Sequence, residues 1–189
     1  AIAFNGDIEQ ALVYAKKGVQ LSDKIGDKNW QPKFYEMQGR MHANLLQLDS
    51  ASLYFNKAMK GYLAITDKKG QATTLFKMAW VLKKKGENEK ALQKNLQALK
   101  LMESLGDKAG ICDALTRVSE DLTIQNRLSE ALNYAEKAIA IAEANNLTTE
   151  KFYVNFNAGN VAMALGNYKQ SLDYYNAAAK IVKKENLGL

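Results

Sequence analysis

Residues 72–107 read ATTLFKMAWVLKKKGENEKALQKNLQALKLMESLGD, and the architecture of the whole chain can be built from this stretch. Its first part sets Leu75, Met78, Ala79 and Leu82 at i, i+3, i+4 and i+7, one apolar face of a helix from Ala72 to Lys85. Gly86-Glu87-Asn88 breaks that helix, with Gly86 suited to the left-handed position after a helix end. A second helix is predicted from about Glu89 to Leu105, and Gly106-Asp107 ends it. Its inner side carries Ala91, Leu92, Asn95, Leu96, Ala98, Leu99 and Met102.

The pattern repeats with a step of 40 residues. Ala11, Ala51, Ala91, Ala131 and Ser171 are all small. So are Gly18, Ala58, Ala98, Ala138 and Ala178. Turn formers dominate Gly6, Leu46, Gly86, Asn126 and Gly166, and Gly39, Ala79, Ser119 and Gly159 form a fourth ladder. Asp27, Asp67 and Asp107 recur in the loops between pairs. Small residues in register have a physical reason, since two antiparallel helices cross closely only where Gly, Ala or Ser lets the backbones approach. A Leu at Ala91 or Ala138 is expected to overpack the crossing by about 1–3 kcal/mol.

Composition agrees with a helical array and excludes several chemistries. Of 189 residues only one is Pro, which favours uninterrupted helices. One His and one Cys rule out a Cys/His zinc site and a disulfide framework. The 26 basic and 20 acidic residues give +6, and the lysines spread over the whole chain as a solvated surface would. No apolar run is long enough to span a membrane, and residues 1–7 have neither the basic nor the apolar region of a signal peptide. The single Cys leaves the compartment, cytoplasmic or periplasmic, open.

The recurring pattern resembles the tetratricopeptide repeat (TPR): a small–apolar helix, a Gly-Asp/Asn turn, then Ala-Leu with Tyr and Ala. The fifth unit shows Gly159, Gly166-Asn167-Tyr168, Ser171-Leu172, Tyr175 and Ala178; the fourth shows Leu115, Ser119, Leu122, Ala131-Leu132, Tyr134 and Ala138. The second unit's first helix shows Tyr35, Gly39 and His42. The period of 40 rather than 34, and the absence of the Pro that ends many TPR units, are departures. The longer form, with Gly106 to Gly110 between units, is similar to the subgroup in bacterial sensor kinases, bacterial peptide-sensing regulators and eukaryotic scaffold proteins. The resemblance implies an all-α, right-handed superhelical solenoid of antiparallel helix pairs with about nine full helices. The expected organisation is one TPR domain: a partial unit 1–31, then units 32–71, 72–111, 112–151 and 152–189. The first unit keeps its second helix, about Ile8 to Ile25, plus a stub at Ala1 to Asn5, so a fragment of a longer protein is expected.

In such arrays the first helices line a concave groove. The third unit places Thr73, Phe76, Lys77, Trp80, Lys83 and Lys84 there; the second places Lys33, Glu36, Met37, Arg40 and Asn44. Asp113, Thr116, Arg117 and Glu120 follow in the fourth, and Tyr153, Phe156, Asn157, Asn160 and Met163 in the fifth. Partner binding is therefore assigned to Arg40, Phe76, Lys77, Trp80, Lys84, Arg117, Tyr153, Asn157 and Asn160, which offer aromatic anchors, cations and backbone-binding amides. The alternative for Trp80 and Phe76 is packing between units. The family's carboxylate clamp is matched only loosely, by Arg40, Lys77 and Arg117.

No catalytic, cofactor or metal residues are assigned. His42 falls at an inward-packing position, Cys112 has no second His to pair with it, and Glu120-Asp121 point about 100° apart on a helix, a poor acid/base pair. The Gly-Asp-Lys loops lack the glycine spacing of a phosphate cradle, and no EF-hand loop occurs. The leading function is a non-enzymatic protein- or peptide-binding module with an acidic partner among its candidates, the sensor or scaffold segment of a bacterial signalling protein. The alternative is self-assembly through an end stripe at Leu172, Tyr175, Ala179 and Val182. Nucleic-acid binding through the positive charge ranks last.

Overall fold

In the computed structural model the backbone is described for residues 2–185 and the side chains for residues 8–182. Among the described residues nine helices follow one another: α1 (Ile2–Ile25), α2 (Gln31–Asn44), α3 (Leu48–Ala64), α4 (Lys68–Lys84), α5 (Asn88–Leu105), α6 (Lys108–Ile124), α7 (Leu128–Ala144), α8 (Thr148–Ala164) and α9 (Tyr168–Glu185). No strand occurs among them. The fold is all-α and of the solenoid class, built from antiparallel helix pairs.

Every turn uses the same device. Left-handed backbone occurs at Gly26, Leu46, Thr66, Gly86, Gly106, Asn126, Asn146 and Gly166, one position every 20 residues. Around Gly86, the Gly86 amide donates to the Lys83 carbonyl (2.9 Å) and the Glu87 amide to the Leu82 carbonyl (2.9 Å). These two bonds close the helix end in a Schellman arrangement and satisfy carbonyls that would otherwise stay unpaired. The expected turn ladder is thus present from Leu46 to Gly166, even where leucine stands in it, and the turns between units repeat the device at Gly26, Thr66, Gly106 and Asn146. Gly6 does not follow suit: α1 runs through it from Ile2, so the expected stub and turn are one continuous helix. A glycine inside a helix costs about 1 kcal/mol against alanine and does not by itself end one.

The recurring aspartates set where first helices begin. Asp67 caps α4 by accepting from the Gly70 amide (2.9 Å), and Asp107 caps α6 through the Gly110 amide (3.0 Å). These caps start the two helices at Lys68 and Lys108, so α4 begins four residues before the Ala72 read from periodicity. Asp27 instead accepts from the Asn29 amide (2.8 Å), and α2 starts later, with Pro32 in its first turn.

Contacts divide the chain into two compact units, residues 1–94 and 95–189. In the first, α2 packs on α1, α3 and α4, and α3 on α4. In the second, α6 packs on α7 and α8, and α8 on α7 and α9. Within each unit the first helices of successive pairs thus touch one another directly, α2 with α4 and α6 with α8. The small ladders lie where they were expected, at the crossings: Ala51, Ala58, Ala91, Ala98, Ala131 and Ala138 are fully buried.

Crossing partners compensate one another in size. Gly39 faces the Phe55 ring, and Gly159 faces the Tyr175 ring. In the fourth repeat Ser119 stands at the glycine's place and Ala135 at the aromatic's. There the Ser119 hydroxyl donates to the Ala131 carbonyl (2.8 Å) across the crossing. A fully buried ring such as Phe55 leaves room only for glycine on the facing helix, because the interior is close-packed.

Candidate functional site

In the first unit the first-helix face is carried by α2 and α4. Glu36 and Lys77 meet across them at 2.8 Å, and the Tyr62 hydroxyl donates to the other Glu36 oxygen at 2.8 Å. Burial, with the Glu36 carboxylate beside it, holds the Tyr62 hydroxyl well above the ordinary tyrosine range. Trp80 is half-buried against a cluster of Ala43, Ala51, Phe55 and Val81, while Lys84 Nζ stands 5.4 Å from its ring centroid. Arg40 and Lys84 are exposed. Phe76 is not available as a groove anchor: it is 7% exposed, so its ring belongs to the packing.

In the second unit a cleft of about 400 Å³ opens between α6 and α8. Asp113, Thr116, Arg117 and Glu120 line it from α6, and Glu150 and Tyr153 from the α8 side. Arg117 Nε bonds Asp113 at 2.9 Å, one turn away on its own helix, which aims the guanidinium along the cleft wall. On α8 the same face continues with Tyr153, Phe156, Asn160 and Met163, at i, i+3, i+7 and i+10. Three of these are large and apolar yet open, Tyr153 at 52%, Phe156 at 47% and Met163 at 46% exposure. Phe152, Phe156 and Tyr175 continue the aromatic set at centroid separations of 6.1 and 5.7 Å, and the Tyr175 hydroxyl donates to Asn160 at 2.8 Å. Asn157 departs from the reading: it is 6% exposed and its Oδ1 has no hydrogen-bond partner. A buried amide of this kind cannot line an open groove.

Comparison with known proteins bears on this architecture directly. Family models described as the tetratricopeptide repeat match residues 70–144 and 152–182. The chain belongs to the tetratricopeptide repeat family. No curated protein matches it in sequence. Among solved structures it is similar to BtubC from P. vanneervenii, at 17% identity and a TM-score of 0.82 over 97% of this chain and 76% of that one. Aspartyl phosphate phosphatase F from Bacillus subtilis aligns with 96% of this chain and 49% of its own length, at 15% identity and a TM-score of 0.84. A Rap protein complexed with competence and sporulation factor gives 19% identity and a TM-score of 0.78, over 94% of this chain and 50% of that one. At such identities the likeness is one of fold, and the chain spans about half the length of the last two proteins.

The tetratricopeptide repeats also hold polar groups whose role the sequence did not disclose. Asp121, set aside as half of a poor acid/base pair, is 1% exposed and accepts from Asn95 Nδ2 at 2.6 Å, and Asn95 is equally buried. The signal was available in the ladders: Asp121 occupies the place of Val81 and Val161, both buried, and Asn95 that of Phe55 and Tyr175. Two polar departures at paired core positions announce a buried hydrogen bond. His42 is half-buried, stacked on Tyr54 at 5.1 Å, with Nδ1 2.6 Å from Gln47 Oε1. Cys112 is 1% exposed, and burial, with Glu150 adding to it, pushes its thiol up to about 11. Among the described residues no group of three or more His, Cys, Asp or Glu stands together to hold a metal, and no helix is long and apolar enough to cross a membrane.

The end stripe lies on α9. Leu172 is 59% exposed, whereas Leu92 at the same place in its own repeat is 3% exposed. Ala179 is exposed as well, Tyr175 and Val182 are half-buried, and Tyr168 extends the stripe at 69% exposure.

Proposed function

We propose that the chain is a protein-interaction module that binds a partner peptide on its first-helix faces, without catalysis of its own. The observation that carries this reading is the open row Tyr153, Phe156 and Met163 on α8, beside the cleft to α6. A merely solvated helix face would carry charges there. Exposed rigid aromatics flanked by amide and guanidinium groups are what peptide-binding surfaces use. The fold is shared with a Rap protein complexed with competence and sporulation factor, which supports binding of a partner as the function and agrees with a sensor or scaffold segment of a signalling protein as the setting. The test is selection of a displayed random-peptide library on the folded chain, followed by titration with Tyr153→Ala/Arg117→Ala. Selected peptides are expected to lose at least about tenfold in affinity. Unchanged binding of every selected peptide would remove α8 and α6 from the binding face.

A second reading is favoured by the α9 stripe. An uncovered Leu172, at a place where Leu92 is buried, supports docking of another helix layer, including one from a second copy of the chain. Sedimentation equilibrium at high concentration is expected to show association that Leu172→Glu abolishes. A monomer throughout refutes self-assembly and leaves the peptide reading untouched.

A further inference from the structure

The net positive charge of the chain does not extend to its second unit. Residues 95–189 carry 10 basic residues against 11 acidic ones, a net −1. The balance tips further at the α6–α8 cleft. Its lining holds Asp113, Glu120 and Glu150 against Arg117 alone, three negative charges against one positive, a net −2. Arg117 bonds Asp113 through Nε at 2.9 Å, so its charge is offset on its own helix. Glu150 has no ion pair or hydrogen bond among the described residues. Its carboxylate is near enough to Cys112 to add to the rise of that thiol. Cys112 and Val154, both buried, form an apolar floor with Ala109, whereas Asp113 and Glu120 are exposed and Glu150 half-buried. The cleft is apolar at its base and acidic at its rim.

We infer that this cleft receives a basic side chain of the partner, lysine or arginine, with its alkyl stem on the Ala109–Val154 floor and its charged end at the Glu150 carboxylate and the open Tyr153 ring. This rests on α6 and α8 being the binding face. Glu150 and Tyr153 lie at i and i+3 on α8, so a cation held by the carboxylate also meets the aromatic ring. Phe152 meets Tyr153 at 75° and fixes its tilt, while Tyr153 stays 52% exposed. Asn157 follows one turn further along α8, at the place where Lys77 reaches from α4 to Glu36 on α2, so its side chain faces α6. The polar groups left without partners on this wall, the Glu150 carboxylate and Asn157 Oδ1, are both acceptors. Lysine and arginine are the charged side chains that carry donors and no acceptor. Their long stems cover apolar surface while the charge stays at the rim, which suits an apolar floor. A bare metal ion does not suit the site. Among the described residues no three carboxylates stand close enough together to hold one, and Asp113 and Glu120 lie two turns, about 10 Å, apart along α6. A volume of about 400 Å³ instead falls within the roughly 300–1,000 Å³ of organic-ligand pockets.

The test uses fluorescence anisotropy of the full chain with three labelled short peptides of glycine and leucine that differ only at the centre, which is arginine, citrulline or glutamate. Citrulline keeps the shape of arginine and removes its charge. The arginine peptide is expected to bind at least about tenfold tighter than the citrulline peptide, and the glutamate peptide not to bind. Glu150→Gln keeps the side chain's size and is expected to cut this preference to about twofold or less. Glu143→Gln, at an exposed position of α7 outside the cleft, changes the net charge equally and is expected to leave the preference within about twofold of its original value. A purely structural role of Glu150 in the first turn of α8 would weaken both peptides alike and leave their ratio untouched. No binding of the arginine peptide, equal binding of its citrulline form, or an equal effect of the two variants each overturns the proposal. So does displacement by spermidine at a lower concentration than by the unlabelled arginine peptide, which would make a free amine the occupant. In each case, library peptides that still lose affinity with Tyr153→Ala/Arg117→Ala keep the general reading standing while this one falls.

Discussion

Replacing Gly39 by alanine would put a methyl carbon 2.5 Å from Phe55 Cδ1 and 2.6 Å from Cε1. Carbon atoms pack at about 3.5–4.0 Å, so the ring must give by about 1 Å. Phe55 is 1% exposed and wedged among Ala43, Ala51 and Val81, so it has nowhere to go without moving its neighbours. Overpacking of this kind costs about 1–3 kcal/mol. Alanine recovers about 1 kcal/mol through its helix propensity. The net expectation is a loss of about 1 kcal/mol, read as a lower urea midpoint by circular dichroism. Gly159→Ala supplies the comparison. Its methyl would lie 2.5 Å from Tyr175 Cε1, but that ring is half-buried and can swing outward, so little net change is expected. Phe55→Leu should make room for the methyl of Gly39→Ala, with a favourable coupling of about 1 kcal/mol in a double-mutant cycle. If Gly39→Ala stabilises the protein, or shows no coupling to Phe55→Leu, the size-compensation argument is wrong.

The core and the turns carry further expectations. Asp121→Val leaves the Asn95 amide buried without its carboxylate, at a cost of about 1–3 kcal/mol, and Asn95→Leu/Asp121→Val recovers most of it in the urea midpoint. Cys112 is expected to resist a thiol reagent at pH 8 in the native state and to react fully once unfolded. Because its folded value of about 11 exceeds an unfolded value of about 8.5, the neutral thiol's contribution is whole below pH 8.5 or so and is lost as pH rises towards 11. Rapid native labelling at pH 8 would contradict the burial. Thr66, held at a φ of 54°, is expected to gain about 1 kcal/mol on replacement by glycine, and Gly86→Ala, with nothing within 4 Å of the new methyl, to lose about as much through backbone strain alone. Equal thermal midpoints for all three proteins would refute the left-handed ladder.

The features legible in the chain alone are local and periodic. Apolar spacing over residues 72–107 announces two helices, and the step of 40 copies them along the chain. The crossing ladders follow because backbone approach admits only small side chains. The turn ladder follows because a Schellman end needs left-handed backbone wherever the helix stops. These properties depend on neighbours a few residues away. Exposure does not. Phe76 and Phe156 occupy the same place in their repeats, yet one is 7% exposed and the other 47%. Leu92 and Leu172 differ in the same way. Asn157, read as a groove amide, is buried, and Asp121 proves to be a core partner of Asn95 across 26 residues of chain. These cases were settled by packing in three dimensions, because burial is set by side chains brought in from other helices, and a repeat unit read alone does not contain them.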